Sequence, residues 1–146
     1  MGYNVNYGGG TFLSFGNHPN SPVTKWGNTS DAAGAYQILY SSWKNIINVI
    51  EPQPDFSPTA QDRGAVILIN EQEKWNPRAK GVISDIESGN VKSAVVKLNG
   101  TWTSLPEGTE RKMIQEDAIR IFKESISKEL KGESSIATPQ GKLRLK

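Results

Sequence analysis

The sequence has no cysteine and only one histidine, His18, among its 146 residues. The lack of cysteine excludes a disulfide framework and thiolate metal sites, and one histidine cannot supply the ligands of a histidine-rich metal centre. No segment approaches the roughly 20 consecutive apolar residues of a membrane-spanning helix. The first thirty residues also lack the basic start and the apolar region of a signal peptide. From these absences we expect no metal, no cofactor and no membrane span.

The chain also has little excess charge of either sign, because its 17 Lys and Arg residues are nearly balanced by 15 Asp and Glu residues. The basic residues are spread along the chain, so nucleic-acid binding has little electrostatic support. An anionic cell-wall polymer is an equally good match for so small a charge. The length suits a single core. We expect one domain over residues 1–131 and a flexible C-terminal tail over 132–146.

Apolar residues recur at helical spacing in several segments. This spacing predicts helices over residues 31–50, 58–73 and 109–130, and shorter helices that end near Gly89 and Gly100. Ser30 or Asp31 is placed to cap the first helix, and Ser57 before Pro58 is typical of a helix start. In the second helix, the run 66–69 leaves no polar face, which predicts burial on all sides.

Residues 3–15 alternate loosely between apolar and polar types around three successive glycines. This pattern predicts a β-hairpin with a glycine turn. Residues 17–29 are rich in Asn, Pro, Ser and Gly, which indicates a long irregular loop. A small β element beside a helical majority is typical of an α+β fold.

Four motifs occur in a fixed order along the chain. They are Gly2–Val5 with Gly8–Gly9 and Asn17–Pro19, then Ala33–Leu39, then Asp55–Pro58 with Gln61–Asp62, and finally Trp102–Pro106. In order and spacing they resemble the phage lambda-type endolysins, a family of lysozyme-like lytic transglycosylases. The resemblance runs from Gly2 to about Leu130. It implies a lysozyme-like α+β fold, with a small β-hairpin lobe, a predominantly helical lobe, and a cleft for the glycan strand of peptidoglycan.

The resemblance also implies a reaction, the cleavage of the bond between N-acetylmuramic acid and N-acetylglucosamine to leave a 1,6-anhydro sugar. One glutamic acid serves as acid and then as base. In the family this residue belongs to a Glu-Gly-Thr motif, upstream of the segment that matches Gly2–Val5. Here no Asp or Glu precedes Asp31. We therefore expect the chain to be inactive or impaired as given, and a missing N-terminal segment or a partner chain to supply the acid.

Glu107-Gly108-Thr109 repeats the catalytic tripeptide, but its position matches a loop before the last helix. Glu107 is therefore only a weak catalytic candidate, and its charge fits the start of a helix better. Trp26 and Trp102 have the shape to stack on sugar rings, but large aromatic side chains in a domain of this size are more often core residues. His18 fits an acid–base role or a loop that it orders itself, and Asp62 fits a helix-dipole charge. The resemblance places the substrate-binding candidates at Tyr3, Asn4, His18, Gly34, Tyr36, Gln37 and Trp102.

Three hypotheses for the function stay open. The first is a peptidoglycan lytic transglycosylase domain without its catalytic segment, from a phage or prophage and acting at the bacterial cell wall. The second is a non-catalytic glycan-binding module on the same fold. The third is a structural or docking module, since a fold alone does not fix a function.

Overall fold

The computed structural model describes residues 2–50, 55–110 and 112–133. These residues form two compact units, one extending to Leu68 and the other beginning at Ile69. Most of the predicted tail, residues 134–146, lies outside the described residues. Among the described elements are the strands β1 (Val23–Lys25) and β2 (Asn28–Ser30) and the helices α1 (Tyr40–Ile47), α2 (Pro58–Trp75), α3 (Val82–Ser88), α4 (Val91–Leu98) and α5 (Gln115–Leu130). None of the described helices is long and apolar enough to cross a membrane.

The β structure of the first unit differs from the sequence-based prediction. Strands β1 and β2 pair antiparallel, with Val23 opposite Ser30, inside the segment predicted to be an irregular loop. Trp26 and Gly27 join them with φ angles of 52° and 79°, as a tight type I′ hairpin turn requires. The predicted hairpin over residues 3–15 is reduced to a single bridge between Val5 and Thr11. Between these two residues Tyr7–Gly9 forms a short 3₁₀ helix, which leaves no room for longer strands.

The prediction of a helix from residue 31 was wrong over residues 31–39, because α1 begins only at Tyr40. Ala33 and Ile38 exchange backbone hydrogen bonds of 3.1 and 2.9 Å, so the chain between them is a tight turn. The alanine and isoleucine spacing resembles a helical face but serves this turn instead. Asp31 nevertheless contacts the helix start, since its Oδ1 accepts a hydrogen bond from the Tyr40 N–H at 3.3 Å.

The predicted start of α2 is confirmed. Ser57 Oγ accepts a hydrogen bond from the Ala60 N–H at 3.4 Å, and Pro58 is the first helical residue. Burial on all sides was wrong, because Arg63 is exposed and residues 66–69 are half-buried. The fully buried residues lie in the first half of the helix, where small side chains allow close packing: Ala60, Gln61, Asp62, Gly64 and Ala65.

Each unit has an apolar core of its own. In the first unit Phe56 is fully buried, and its ring centroid lies 4.9 Å from that of Trp43 and 4.6 Å from that of His18. The core of the second unit includes Ala79, Val82, Ala94 and Leu98. The predicted end of α3 at Gly89 is confirmed, with Gly89 in the left-handed conformation. Helix α5 begins at Gln115 instead of residue 109, because residues 101–110 form successive turns.

Candidate functional site

The turn between Ala33 and Ile38 carries three of the predicted binding residues, Gly34, Tyr36 and Gln37. Gly34 and Gln37 have φ angles of 80° and 48°, and the Gln37 N–H donates to the Gly34 carbonyl at 3.2 Å. The Gly34 N–H donates to the Val5 carbonyl at 2.8 Å. The turn is therefore fastened to the N-terminal segment of the same unit.

The side chain of Gln61, on α2, anchors this turn by hydrogen bonds. Its side chain is fully buried, and its Oε1 accepts a hydrogen bond from the Ala35 N–H at 3.0 Å. Its Nε2 donates to the carbonyl of Tyr3 at 3.0 Å and to that of Phe56 at 2.8 Å. One amide thus satisfies backbone groups of three separate segments, which buried polar groups require.

Asp62, the next residue of α2, accepts hydrogen bonds from two tyrosine hydroxyls. The Tyr36 hydroxyl donates to Asp62 Oδ1 at 2.7 Å, and the Tyr3 hydroxyl donates to the same oxygen at 2.9 Å. Asp62 is fully buried, whereas both tyrosines are half-buried. Hydrogen bonds from a neutral donor to a carboxylate are short and strong. Asp62 therefore fixes the positions of Tyr3 and Tyr36, a role beyond the helix-dipole charge that the sequence indicated.

The surroundings of Tyr36 raise the pKa of its hydroxyl above the ordinary value of 10. The main cause is burial, and the hydrogen bond to Asp62 and the negative charge of Asp62 add to it. Each of these disfavours the phenolate. At neutral pH the Tyr36 hydroxyl is accordingly protonated and donates a hydrogen bond to Asp62.

This shift predicts an alkaline loss of stability that Tyr36→Phe removes. A raised pKa in the folded state contributes stability in full below the unfolded value of about 10, and that contribution falls as the pH rises above it. Between pH 10 and 11, the unfolding free energy of the wild type should fall more steeply than that of Tyr36→Phe, by up to about 1.4 kcal/mol per pH unit. Urea denaturation at each pH measures this difference, and the two proteins should differ by a constant amount between pH 7 and 9. Parallel curves above pH 10 would contradict the expectation.

Two amide side chains complete the exposed part of this group. Gln37 is exposed, and its Nε2 donates to the carbonyls of Val5 and Gly34 at 3.2 and 3.0 Å. Asn4 is exposed as well, and its backbone carbonyl accepts a hydrogen bond from the Phe12 N–H at 2.9 Å. The structure thus brings together five predicted residues, which we call the tyrosine–amide group: Tyr3, Asn4, Gly34, Tyr36 and Gln37.

His18 lies in the core of the first unit instead of on its surface. Its Nδ1 accepts a hydrogen bond from the Asn20 N–H at 3.0 Å, so the proton is on Nε2, which donates to the Ile38 carbonyl at 2.8 Å. Burial lowers the pKa of His18, and the Ile38 carbonyl and the charge of Asp31 oppose this shift. Both ring nitrogens are occupied, which favours the interpretation that His18 orders its own loop.

Trp102 and Glu107 belong to the second unit. Trp102 is half-buried and packs against the core of that unit. Glu107 is exposed in a turn, has a φ angle of 62° and accepts a hydrogen bond from Gln115 Nε2 at 2.8 Å. It therefore contacts the first residue of α5 by its side chain. It also lines an open pocket of about 510 Å³.

The core position favoured for Trp26 was wrong, because its side chain is 66% exposed. The role of Gln61 as a positioning residue was not predicted. The only sequence signal for Gln61 was its place beside Asp62 in a family motif. For Trp26 the signal was the Trp-Gly pair, since glycine favours a hairpin turn. In the part of the chain that the structure describes, no three His, Asp or Glu side chains are grouped as metal ligands.

Comparison with known proteins connects this geometry to one family. A family model described as Endolysin matches residues 1–126. The endolysin of Escherichia phage P2 is 35% identical over 88 residues, which are 60% of this chain and 48% of that protein. The endolysin of Escherichia phage lambda is 33% identical over 106 residues, 72% of this chain and 61% of that protein. The chain thus spans about half to three fifths of the length of these relatives.

Two solved structures share the fold. A bacteriophage lambda lysozyme in complex with a chitohexasaccharide has a TM-score of 0.71 and 30% identity, over 84% of this chain and 75% of that one. A second lysozyme from bacteriophage lambda has a TM-score of 0.68, with the same identity and coverage. The predicted lysozyme-like α+β fold is confirmed.

Proposed function

Because this chain belongs to the endolysin family, we propose that it binds the glycan strand of peptidoglycan as part of a peptidoglycan-degrading, lysozyme-like protein. The observation that carries the proposal is the fold shared with a lambda lysozyme that was solved with a chitohexasaccharide. A chitohexasaccharide consists of N-acetylglucosamine units, which alternate with N-acetylmuramic acid in peptidoglycan. The same acetamido groups are therefore offered by both polymers.

The tyrosine–amide group has the chemistry to bind such a strand. Amide side chains both donate and accept hydrogen bonds, as do the acetamido groups of the sugars. Gln37 and Asn4 are the exposed members. Buried Gln61 and Asp62 fix the position of the group by hydrogen bonds to Ala35 and Tyr36. A polar group on a rigid support binds with less loss of side-chain entropy. Trp102 stays a candidate for stacking on a sugar ring. His18 orders its own loop through hydrogen bonds to Asn20 and Ile38.

The proposal for catalysis is narrower. Lytic transglycosylase chemistry needs a carboxyl group that donates a proton to the glycosidic oxygen. In the described part of the first unit the carboxylates are Asp31, Asp55 and Asp62. Asp62 is fully buried. The hydrogen bonds from Ser57 lower the pKa of Asp55, so Asp55 is a poor proton donor. We therefore propose that this chain binds glycan but cleaves it weakly by itself.

Titration with chitohexaose, followed by ¹H–¹⁵N NMR of the labelled chain, tests the binding proposal. We expect shifts at Tyr3, Asn4 and residues 34–37. Gln37→Ala should weaken binding about 2- to 12-fold, the loss expected for one neutral hydrogen bond.

Two further variants make this test specific. Asn45→Ala removes an exposed amide from α1 and should leave the affinity unchanged. Gln37→Asn keeps an amide and a side chain that tolerates positive φ, so it should recover part of the binding. Shifts confined to the second unit, or no saturable binding at all, would contradict the proposal.

A further inference from the structure

The tip of the β1–β2 hairpin carries an exposed tryptophan in an unfavourable backbone conformation. Trp26 is 66% exposed and has a φ angle of 52°. The first central position of such a turn is normally Asn, Asp or Gly, since larger side chains are disfavoured at positive φ. A strained residue at the surface persists only when neighbouring contacts hold it, and such residues cluster at binding sites.

Neighbouring side chains hold this tryptophan in place. The Tyr7 and Trp26 rings meet at 87° with centroids 5.8 Å apart, and Lys25 Nζ lies 4.6 Å from the indole centroid. Lys25 Nζ also donates to the Gly8 carbonyl at 2.5 Å, and the Tyr7 hydroxyl donates to the Lys25 carbonyl at 3.3 Å. These three side chains, Tyr7, Lys25 and Trp26, form what we call the aromatic platform.

The aromatic platform and the tyrosine–amide group share one backbone segment. The Tyr7 N–H donates to the Ala32 carbonyl at 2.7 Å. Two residues earlier, the Val5 carbonyl accepts hydrogen bonds from the Gly34 N–H at 2.8 Å and from Gln37 Nε2 at 3.2 Å. The segment from Val5 to Gly8 is therefore fastened to the binding turn at one end and to the hairpin tip at the other.

We propose that the aromatic platform binds a sugar ring of the peptidoglycan strand, beyond the contacts made by the tyrosine–amide group. The inference rests on the proposed function, because it names an additional contact for the same polymer. The C–H groups on one side of a pyranose ring pack on an aromatic surface and are thereby removed from water. A rigid aromatic side chain gives a large contact area for a small loss of entropy.

Charge favours peptidoglycan over a neutral glycan as the occupant. Lys25 is exposed, and its ammonium lies over the indole ring at 4.6 Å from the centroid. The stem peptides of peptidoglycan carry carboxylates next to the sugar chain. An ammonium group beside a sugar-binding aromatic ring therefore complements an anionic, peptide-bearing strand. A neutral chitin oligosaccharide offers the ring contact without this charge contact.

The chain contains a matched control for Trp26. Trp75, the last residue of α2 in the second unit, is 76% exposed, and its Nε1 donates to Glu71 Oε2 at 2.9 Å. Substitution of either tryptophan removes an exposed indole. Only Trp26 belongs to the platform.

Calorimetric titration with chitohexaose, on the full chain, compares the wild type with Trp26→Asn and Trp75→Asn. Asparagine tolerates positive φ, so Trp26→Asn should fold at least as stably as the wild type in urea denaturation. Its affinity for chitohexaose should nevertheless fall about tenfold, as for the loss of an interface anchor. Trp75→Asn should bind like the wild type. Undiminished stability together with weaker binding is not expected of a merely structural residue.

Lys25→Gln tests the charge contact separately. In sedimentation with purified peptidoglycan, this variant should bind more weakly than the wild type at low salt, and the difference should shrink at high salt. Equal affinity of the wild type and Trp26→Asn for chitohexaose would overturn the platform while leaving the proposed function intact. If the wild type binds neither polymer, the proposed function fails and the platform with it. A Trp26-dependent dimer in sedimentation velocity, with unchanged glycan affinity, would also overturn the platform in favour of self-association.

Discussion

The Gly34→Ala variant is expected to lose about 3 to 5 kcal/mol of unfolding free energy. Gly34 has a φ angle of 80°, which costs a residue with a Cβ roughly 1 to 2 kcal/mol. The added methyl would also overlap Gln61 Oε1 and lie 2.7 Å from Gln61 Cδ and 3.2 Å from the Phe56 ring. Gln61 would have to move, and its three buried hydrogen bonds would be weakened. Urea denaturation followed by circular dichroism measures the loss.

Gly27→Ala separates the backbone cost from the overlap. Gly27 has a φ angle of 79°, nearly that of Gly34, but an added methyl there meets no atom within 4 Å. We expect a loss of about 1 to 2 kcal/mol for this control. Equal losses for the two variants would mean that Gln61 does not constrain the turn.

The second large effect concerns the reaction. The chain by itself should release 1,6-anhydromuropeptides from purified peptidoglycan about 10² to 10⁴ times more slowly than a family member that carries the upstream Glu-Gly-Thr motif, the range typical of losing one general acid. Chromatography of the soluble products gives the rate. Glycan binding should persist in the same preparation, which distinguishes a missing proton donor from a misfolded protein. A rate close to that of the family member with the motif would contradict the expectation.

Glu107→Gln identifies the acid if the chain proves active. Glu107 is exposed and hydrogen-bonded to Gln115, so a catalytic role requires its turn to reach the glycosidic oxygen. Activity that this change abolishes would make Glu107 the acid. Activity that survives it would place the acid among the other carboxylates after Ser30. Glu87→Gln, at an exposed position of α3, is the matched control and should have no effect.

The sequence predicted those helix boundaries that short-range chemistry determines. Ser57 and Pro58 mark the start of α2, and Gly89 marks the end of α3, because caps and glycines act on the nearest turn of backbone. These boundaries required no knowledge of distant contacts. The resemblance also named Tyr36, Gln37 and Asn4 as binding candidates, but not which of them lie close together.

The predictions failed where distant contacts decide the local structure. The apolar residues among 33–38 have helical spacing. However, the Gly34 N–H donates a hydrogen bond to the Val5 carbonyl and the Ala35 N–H donates one to Gln61 Oε1, so a turn is more stable there. The roles of Gln61 and Asp62 depend on partners up to 59 residues away, which a single sequence does not reveal. The hairpin at Trp26 was missed because its strands are only three residues long and contain no apolar alternation.

The hydrogen bond between Tyr3 and Asp62 also has a consequence for synthesis of the chain. Its partners are 59 residues apart, and a ribosome adding about 5 to 20 residues per second needs roughly 3 to 12 s to pass from one to the other. Gln61, which holds the Tyr3 carbonyl, is made at the same late moment. During that interval the binding turn and the N-terminal segment have no buried carboxylate or amide to fasten them. The side chain and the carbonyl of Tyr3 therefore reach their buried partners only after the first turn of α2 has left the ribosome.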